Sequence, residues 1–201
     1  MEKTEFAARL QHACSCVISA ETELTQIDSR FGDGSHGLAM VRICQAISQA
    51  VTRSGGGIHA MLGYASASLM TVYGGAFVPI WSSCLDGFRQ YAPEEGPLTP
   101  QALKEMFSGA LTGFYRVSQA KAGEKTMLDV LLPVQKAVNA CNGTCSDILL
   151  AAARAAEVGA ESTRNYVAKF GPAAAYGLQT LGTPDAGALS LSIFLGGMAG
   201  L

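Results

Sequence analysis

Ile27-Asp28-Ser29-Arg30-Phe31-Gly32-Asp33-Gly34-Ser35-His36-Gly37 is the stretch on which the reading of this chain turns. It follows one segment of helical apolar spacing and precedes another. Asp28 and Asp33 stand five residues apart in a turn-rich run, where glycines let the backbone take positive φ and approach a ligand closely. Magnesium takes oxygen ligands and binds through one or two carboxylates plus substrate phosphates. A helix beginning near His36 would aim free amide N–H groups at those phosphates. The same residues also suit a plain turn in which Asp33 or Ser35 caps the next helix, and local chemistry alone leaves both readings open. The segment is not an EF-hand, because the ligand spacing and terminal Glu are missing. It is not a Walker loop either, since no Gly-Lys-Ser or Gly-Lys-Thr follows.

Outward from this loop the apolar spacing is helical nearly everywhere. Phe6, Leu10, Ala13, Val17 and Leu24 mark one opening helix. Over Thr99–Tyr115, Leu103, Phe107, Leu111 and Phe114 recur every three to four residues, with Thr99 suited to cap and Pro100 to the first turn. Met127–Val138 repeats the pattern, and its Pro133 predicts a kink or a place near the helix start. Ser146–Ala160 reads as another helix. Breaks fall at 32–37, 55–57, 74–75, 93–97, 142–143 and 171–187. Alternating strands are absent. The expectation is an all-α fold of about eight helices whose short connections make neighbours antiparallel.

Composition fits that picture. The 201 residues are 49% hydrophobic and only 15% charged, with net charge −2. Such a chain folds compactly rather than staying disordered, and the lack of a basic stripe argues against nucleic acid as a partner. The greasy stretch 186–201 is too short and too glycine-rich to span a bilayer, and residues 1–10 do not read as a signal peptide. A cytoplasmic protein without a membrane partner is expected. The cysteines (Cys14, Cys16, Cys44, Cys84, Cys141 and Cys145) form no Cys-x-x-Cys pair, so they read as reduced, mostly buried small hydrophobes rather than zinc ligands.

The quoted loop resembles the D-x-x-x-x-G-D-G-D-H-G signature of the nucleotide-binding L subunit, or L domain, of dihydroxyacetone kinases, the DhaL or DAK2 type. Other landmarks follow in that family's order. Tyr73-Gly74-Gly75 with Pro79 is similar to its second phosphate-side loop, and Gly123-Glu124-Lys125-Thr126-Met127-Leu128-Asp129 to its G-D-K-T-M-x-D motif. Ala168-Lys169-Phe170-Gly171 and Asp185-Ala186-Gly187 resemble its A-K-x-G-R-A and D-P-G-A ending. The resemblance implies an eight-helix antiparallel barrel formed by residues 1–201 as one L-type domain, binding Mg2+ and ADP or ATP at the end where the glycine-rich loops gather. It implies phosphoryl transfer to a short ketose or polyol held by a separate dihydroxyacetone-binding K subunit. The phosphate comes either from ATP or through a phosphotransferase-system phosphocarrier, and a homodimer is compatible with the family.

Carried over position by position, Asp28 and Asp33 match the first two metal ligands, and Ser35 stands where the third Asp would be. His36, Gly37, Leu38 and Ala39 match the phosphate-contacting helix start. Gly75, Ala76 and Phe77 match the second phosphate loop, Met127 the residue packed on adenine, Pro172 the position of the family's arginine, and Asp185 with Gly187 the closing loop. The departures cluster. Ser35 removes one negative charge and weakens a dinuclear metal site toward a single ion. Ala76, Phe77 and Val78 replace hydroxyl donors and a glycine, and Pro172 offers neither a side-chain donor nor an N–H. Lys121, Lys125 and Lys169 are the nearby cations that could offset these losses. The alternative is a non-catalytic L-type paralogue serving as a binding or regulatory subunit. An apolar ligand held inside the barrel is a third reading, which ordinary core packing also accounts for.

Overall fold

The structure, a computed structural model, describes residues 1–201. It contains nine α-helices and no strands: α1 (Lys3–Ser19), α2 (Glu21–Asp28), α3 (His36–Arg53), α4 (Ile58–Leu69), α5 (Phe77–Arg89), α6 (Pro100–Val117), α7 (Leu128–Ala140), α8 (Cys145–Ser162) and α9 (Ala186–Ala199). Two 3-10 segments, Thr163–Asn165 and Pro172–Thr180, lie between α8 and α9.

Eight of the helices close a ring. Each of α1, α3, α4, α5, α6, α7, α8 and α9 packs on the next, and α9 returns to α1. The expected eight-helix antiparallel barrel is therefore present, with α2 as an extra short helix laid on α3 and α9. The single opening helix expected over Phe6–Leu24 is corrected to two. The chain breaks at Ala20, whose ψ of 7° leaves the helical range, so that α2 can turn across the start of α3. Local apolar spacing runs through this bend because Val17 and Leu24 are both fully buried, and periodicity cannot see a change of axis direction.

Local chemistry sets the other boundaries. The Thr99 hydroxyl accepts from the Ala102 amide at 3.1 Å, with Pro100 opening α6. Thr144 and Asp147 form a reciprocal capping pair at α8. Pro133 falls inside α7, which stays continuous around it. The helix there packs on Gly159 of α8, where a Cβ would stand 3.1 Å from Pro133 Cγ and 2.6 Å from the Asp129 carbonyl oxygen. Helices α5 and α6 approach so closely that a Cβ on Gly109 would strike the Gly87 carbonyl oxygen. Ser83 then donates across the gap to the Gly113 carbonyl at 2.8 Å.

The core runs along the barrel axis, with Phe6, Met40, Ile43, Ile47, Met61, Leu62, Leu103 and Phe114 fully buried. An interior cavity of about 70 Å3 remains, lined only by hydrophobic residues. It is smaller than the roughly 150 Å3 space that takes a benzene ring, so the apolar helices are explained by packing. No helix is long and apolar enough to cross a membrane. The cysteines are all unpaired, and four of the six are buried.

Because ring neighbours alternate in direction, the connections sort onto two ends. Residues 29–35, 70–76, 118–127 and 163–185 gather at one end, together with the N-termini of α3, α5, α7 and α9. The short links 54–57, 90–99 and 141–144 lie at the other end, where the Met1 ammonium donates to the Leu98 carbonyl at 2.8 Å.

Candidate functional site

At the loop-rich end lies a cleft of about 290 Å3, lined by Asp28, Gly32, Asp33, Ser35, Gly75, Ala76, Phe77, Lys125, Pro172 and Asp185 among others. A second lobe of about 530 Å3 adjoins it, lined by Ile80, Phe114, Val117, Thr126, Met127 and Gly187. Ala76, Phe77, Lys125, Phe170, Gly171, Pro172 and Asp185 line both. One lobe therefore carries the carboxylates of Asp28 and Asp33, and the other carries Ile80, Phe114, Val117 and Met127 beside Ser118, Gln119 and Thr126, with a shared wall between them.

The carboxylate lobe is built by the loop quoted first. Asp28 ends α2, and its carboxylate accepts from the His36 amide at 3.2 Å, so it caps α3 from eight residues upstream. Gly32 packs against the other oxygen of that carboxylate, where a Cβ would stand only 2.5 Å away. Asp33 accepts from the Ser35 amide at 2.9 Å. Hydrogen bonding by Ser35 holds the Asp33 carboxyl below the usual range, so it is anionic at neutral pH. Ser35 occupies the N-cap position of α3 but its hydroxyl makes no capping bond.

Asp185 and Lys125 face the cleft from the opposite side. Asp185 caps α9, accepting from the Ala188 amide at 2.7 Å. Burial pushes its carboxyl up to about 6 against the pull of the Ala188 amide and Lys125, and Asp129 and Asp28 add repulsion. Lys125 is 5% exposed and takes a φ of 63°, the one left-handed non-glycine residue in the chain. Its ammonium donates to the carbonyls of Thr163 and Thr183, which ties the α6–α7 connection to the α8–α9 connection. Burial lowers its pKa, partly offset by Asp185. Asp129 organises the same turn by accepting from the Gly123 amide at 2.6 Å and the Thr126 amide at 2.8 Å.

The structure sorts the residues picked out in the sequence. Asp28, Asp33, Ser35, Gly75, Ala76, Phe77, Pro172 and Asp185 line the carboxylate lobe. Met127, at the start of α7 and 4% exposed, lines the other lobe with Gly187. Four residues matched to the phosphate-contacting helix start line neither lobe. The His36 ring is fully buried, with Nε2 3.1 Å from the Ser190 hydroxyl and Nδ1 without a partner; burial drives its pKa down to about 4, so it is neutral. Gly37 is where α2 crosses α3, since a Cβ there would strike Thr25 and the Glu21 carbonyl. Leu38 is 44% exposed, and Ala39 is buried under Gly74. What this helix start can offer a ligand is the backbone N–H groups of Gly37 and Leu38, since those of His36 and Ala39 donate to the Asp28 carboxylate and the Ser35 carbonyl.

Sequence reasoning named Lys125 only as a nearby cation. It missed Phe31 and Phe170 as lining residues. The position of Lys125 between Gly123 and Asp129 was the available signal, but its burial depends on carbonyls about 40 and 60 residues away. Phe31 packs its ring on Tyr176 at 5.3 Å, so the 3-10 segment Pro172–Thr180 rests on the Asp28–Gly37 loop.

Magnesium fits this donor set in one respect and not in another. Two carboxylates and a hydroxyl facing one cleft are hard oxygen donors that suit a single ion completing its shell with water and phosphate. No group of three or more His, Cys, Asp or Glu side chains is placed to hold a metal, so the carboxylates for a second ion are lacking.

Comparison with known proteins agrees with this architecture. The chain is 31% identical over 180 residues to the L-erythrulose 1-kinase of Mycolicibacterium smegmatis, covering 87% of this chain and 31% of that protein. It is 29% identical over 187 residues to the ADP-binding subunit DhaL of the PEP-dependent dihydroxyacetone kinase of Escherichia coli (strain K12), covering 90% of this chain and 89% of that one. The chain thus spans about a third of the erythrulose and dihydroxyacetone kinases it matches but nearly all of the separate subunit. The crystal structure of the dihydroxyacetone kinase from C. freundii in complex with AMP-PNP and Mg2+ shares the fold, with a TM-score of 0.72 and 23% identity over all of this chain and 34% of that one. The DAK2 domain, as a family, matches residues 30–200, and with the loops of the barrel collected around one two-lobed cleft, the chain belongs to the DAK2 domain family.

Proposed function

We propose that residues 1–201 form one L-type domain acting as the nucleotide-binding subunit of a dihydroxyacetone-like kinase. The observation that carries this reading is the two-lobed cleft, with Asp28, Asp33 and Ser35 in one lobe and Met127 in the other. A soft, polarisable methionine suits the face of a base, and paired carboxylates suit the metal that accompanies phosphates. Asp28, Asp33 and Ser35 would hold one Mg2+, whose charge offsets repulsion among phosphate oxygens when it is bound. Lys125 and Asp185 hold the α8–α9 connection over the cleft through the Thr163 and Thr183 carbonyls and the Thr163 hydroxyl. No side chain here is assigned as a general base. The chain's part is to position and neutralise, and the ketose or polyol is held by a separate K-type subunit. Similarity to the ADP-binding DhaL subunit over 89% of its length supports this division of labour, and a phosphotransferase-system phosphocarrier is the alternative to ATP as phosphate source.

A second reading is favoured by four residues that line the cleft: Ser35 lacks the carboxylate charge for a second metal ion, and Ala76, Phe77 and Pro172 carry no side-chain donor for a phosphate. On this reading the chain is a non-catalytic L-type paralogue that serves as a binding or regulatory subunit, its phosphate and metal site decayed. Calorimetric titration with ADP in the presence of Mg2+ should show saturable binding between about a micromolar and a millimolar on the kinase reading, and no binding would refute that reading and favour the second. Mixing the chain with a dihydroxyacetone-binding subunit, ATP and dihydroxyacetone separates them: product formation supports the kinase, and binding without turnover supports the regulatory subunit.

A further inference from the structure

Phe77 opens α5, and its half-buried ring forms part of the wall common to the two lobes. On one side the ring lies against the buried His36 ring, with centroids 4.1 Å apart and planes inclined at 57°. On the other side it reaches α9. A Cβ placed on Gly187 would find Phe77 Cε1 at 3.1 Å and Met127 Cγ at 3.2 Å, so the ring edge, the α9 backbone and the methionine converge with little room for a methyl group. The ring therefore bridges from α3 to α9 between the lobe that holds Asp28 and Asp33 and the lobe that holds Met127.

A ligand with a flat apolar end and a charged end would have to pass this ring to use both lobes. The side chains beside the ring offer an anion no free donor. Ala76 presents a methyl group, and Pro172 has no N–H to donate. The ammonium group that lines both lobes, Lys125, is committed to two carbonyls. Resting on the nucleotide reading above, we infer that Phe77 is a specificity-determining residue that separates the base lobe from the metal lobe, so that the chain reads the adenosine half of a nucleotide and gains little from its magnesium diphosphate.

Calorimetry on the full chain with adenosine, AMP and ADP plus Mg2+ tests this. In the wild-type protein the three dissociation constants should agree within about threefold, a difference of only about 0.7 kcal/mol. Phe77→Ser should tighten ADP plus Mg2+ by about tenfold or more while leaving adenosine unchanged. Phe77→Leu, which keeps the bulk, should behave as wild type. Wild-type protein that binds ADP plus Mg2+ more than about tenfold tighter than adenosine overturns the inference without needing any variant, and so does a folded Phe77→Ser protein with unchanged ADP affinity. If neither wild type nor variant binds any of the three compounds, the nucleotide reading itself fails.

Discussion

Replacing Asp185 by Asn should make the protein more stable at neutral pH although it removes a charged group from the site. Asp185 accepts from the Ala188 amide, an acceptor role that the Asn carbonyl keeps. What Asn removes is the ionised carboxylate, which burial and the neighbouring Asp129 and Asp28 disfavour. The sign follows from linkage. A carboxyl raised from 3.8 when unfolded to about 6 when folded holds its proton more tightly in the native state. Its contribution is fully present below about pH 4 and is lost as pH rises through about 6. At about 1.4 kcal/mol per pH unit, ionised Asp185 costs the folded state about 3 kcal/mol above that window. Asn resembles the protonated form and escapes this cost. A chain of this size shifts its Tm by roughly 2–4 °C per kcal/mol, so Asp185→Asn should melt roughly 6–12 °C higher at about pH 8. The assay is urea or thermal unfolding of both proteins across the pH range in metal-free buffer. The gain should shrink steadily below pH 6 and vanish near pH 4. A variant less stable at every pH, or a gain undiminished in acid, would refute the account of Asp185 as a buried, repelled carboxylate.

Other outcomes follow from the same geometry. Gly109→Ala drives a methyl group into the Gly87 carbonyl and should cost about 1–3 kcal/mol or more by forcing α5 and α6 apart, read as a lower urea midpoint with an unchanged slope. Ser35→Asp adds an anionic oxygen beside Asp33 and Asp28 and should tighten binding of Mn2+ alone by about tenfold, about 1.4 kcal/mol; an unchanged titration would move the metal away from this loop.

Much of the barrel was legible in the chain. Apolar residues every three to four positions, Thr99 with Pro100, and the glycine-rich breaks determine helices locally, because a helix is closed by hydrogen bonds among near neighbours. The order of the loop motifs along the chain then points to one family and one end of its barrel. Asp28, Asp33, Ser35, Phe77, Met127 and Asp185 could be named in advance because they fall at matching positions of that family's loop motifs. Their grouping could not be read from local spacing, since four separate connections meet only when the ring closes. Tertiary structure alone decided that α1 and α2 part at Ala20, because a change of axis leaves the apolar period intact. It alone turned His36 inward onto Ser190 and Phe77, gave Gly37 to the crossing of α2, and buried Lys125 under carbonyls from another loop. Each of these depends on what lies opposite in space, and a linear sequence states which groups a chain has but not which of them its fold will bring face to face.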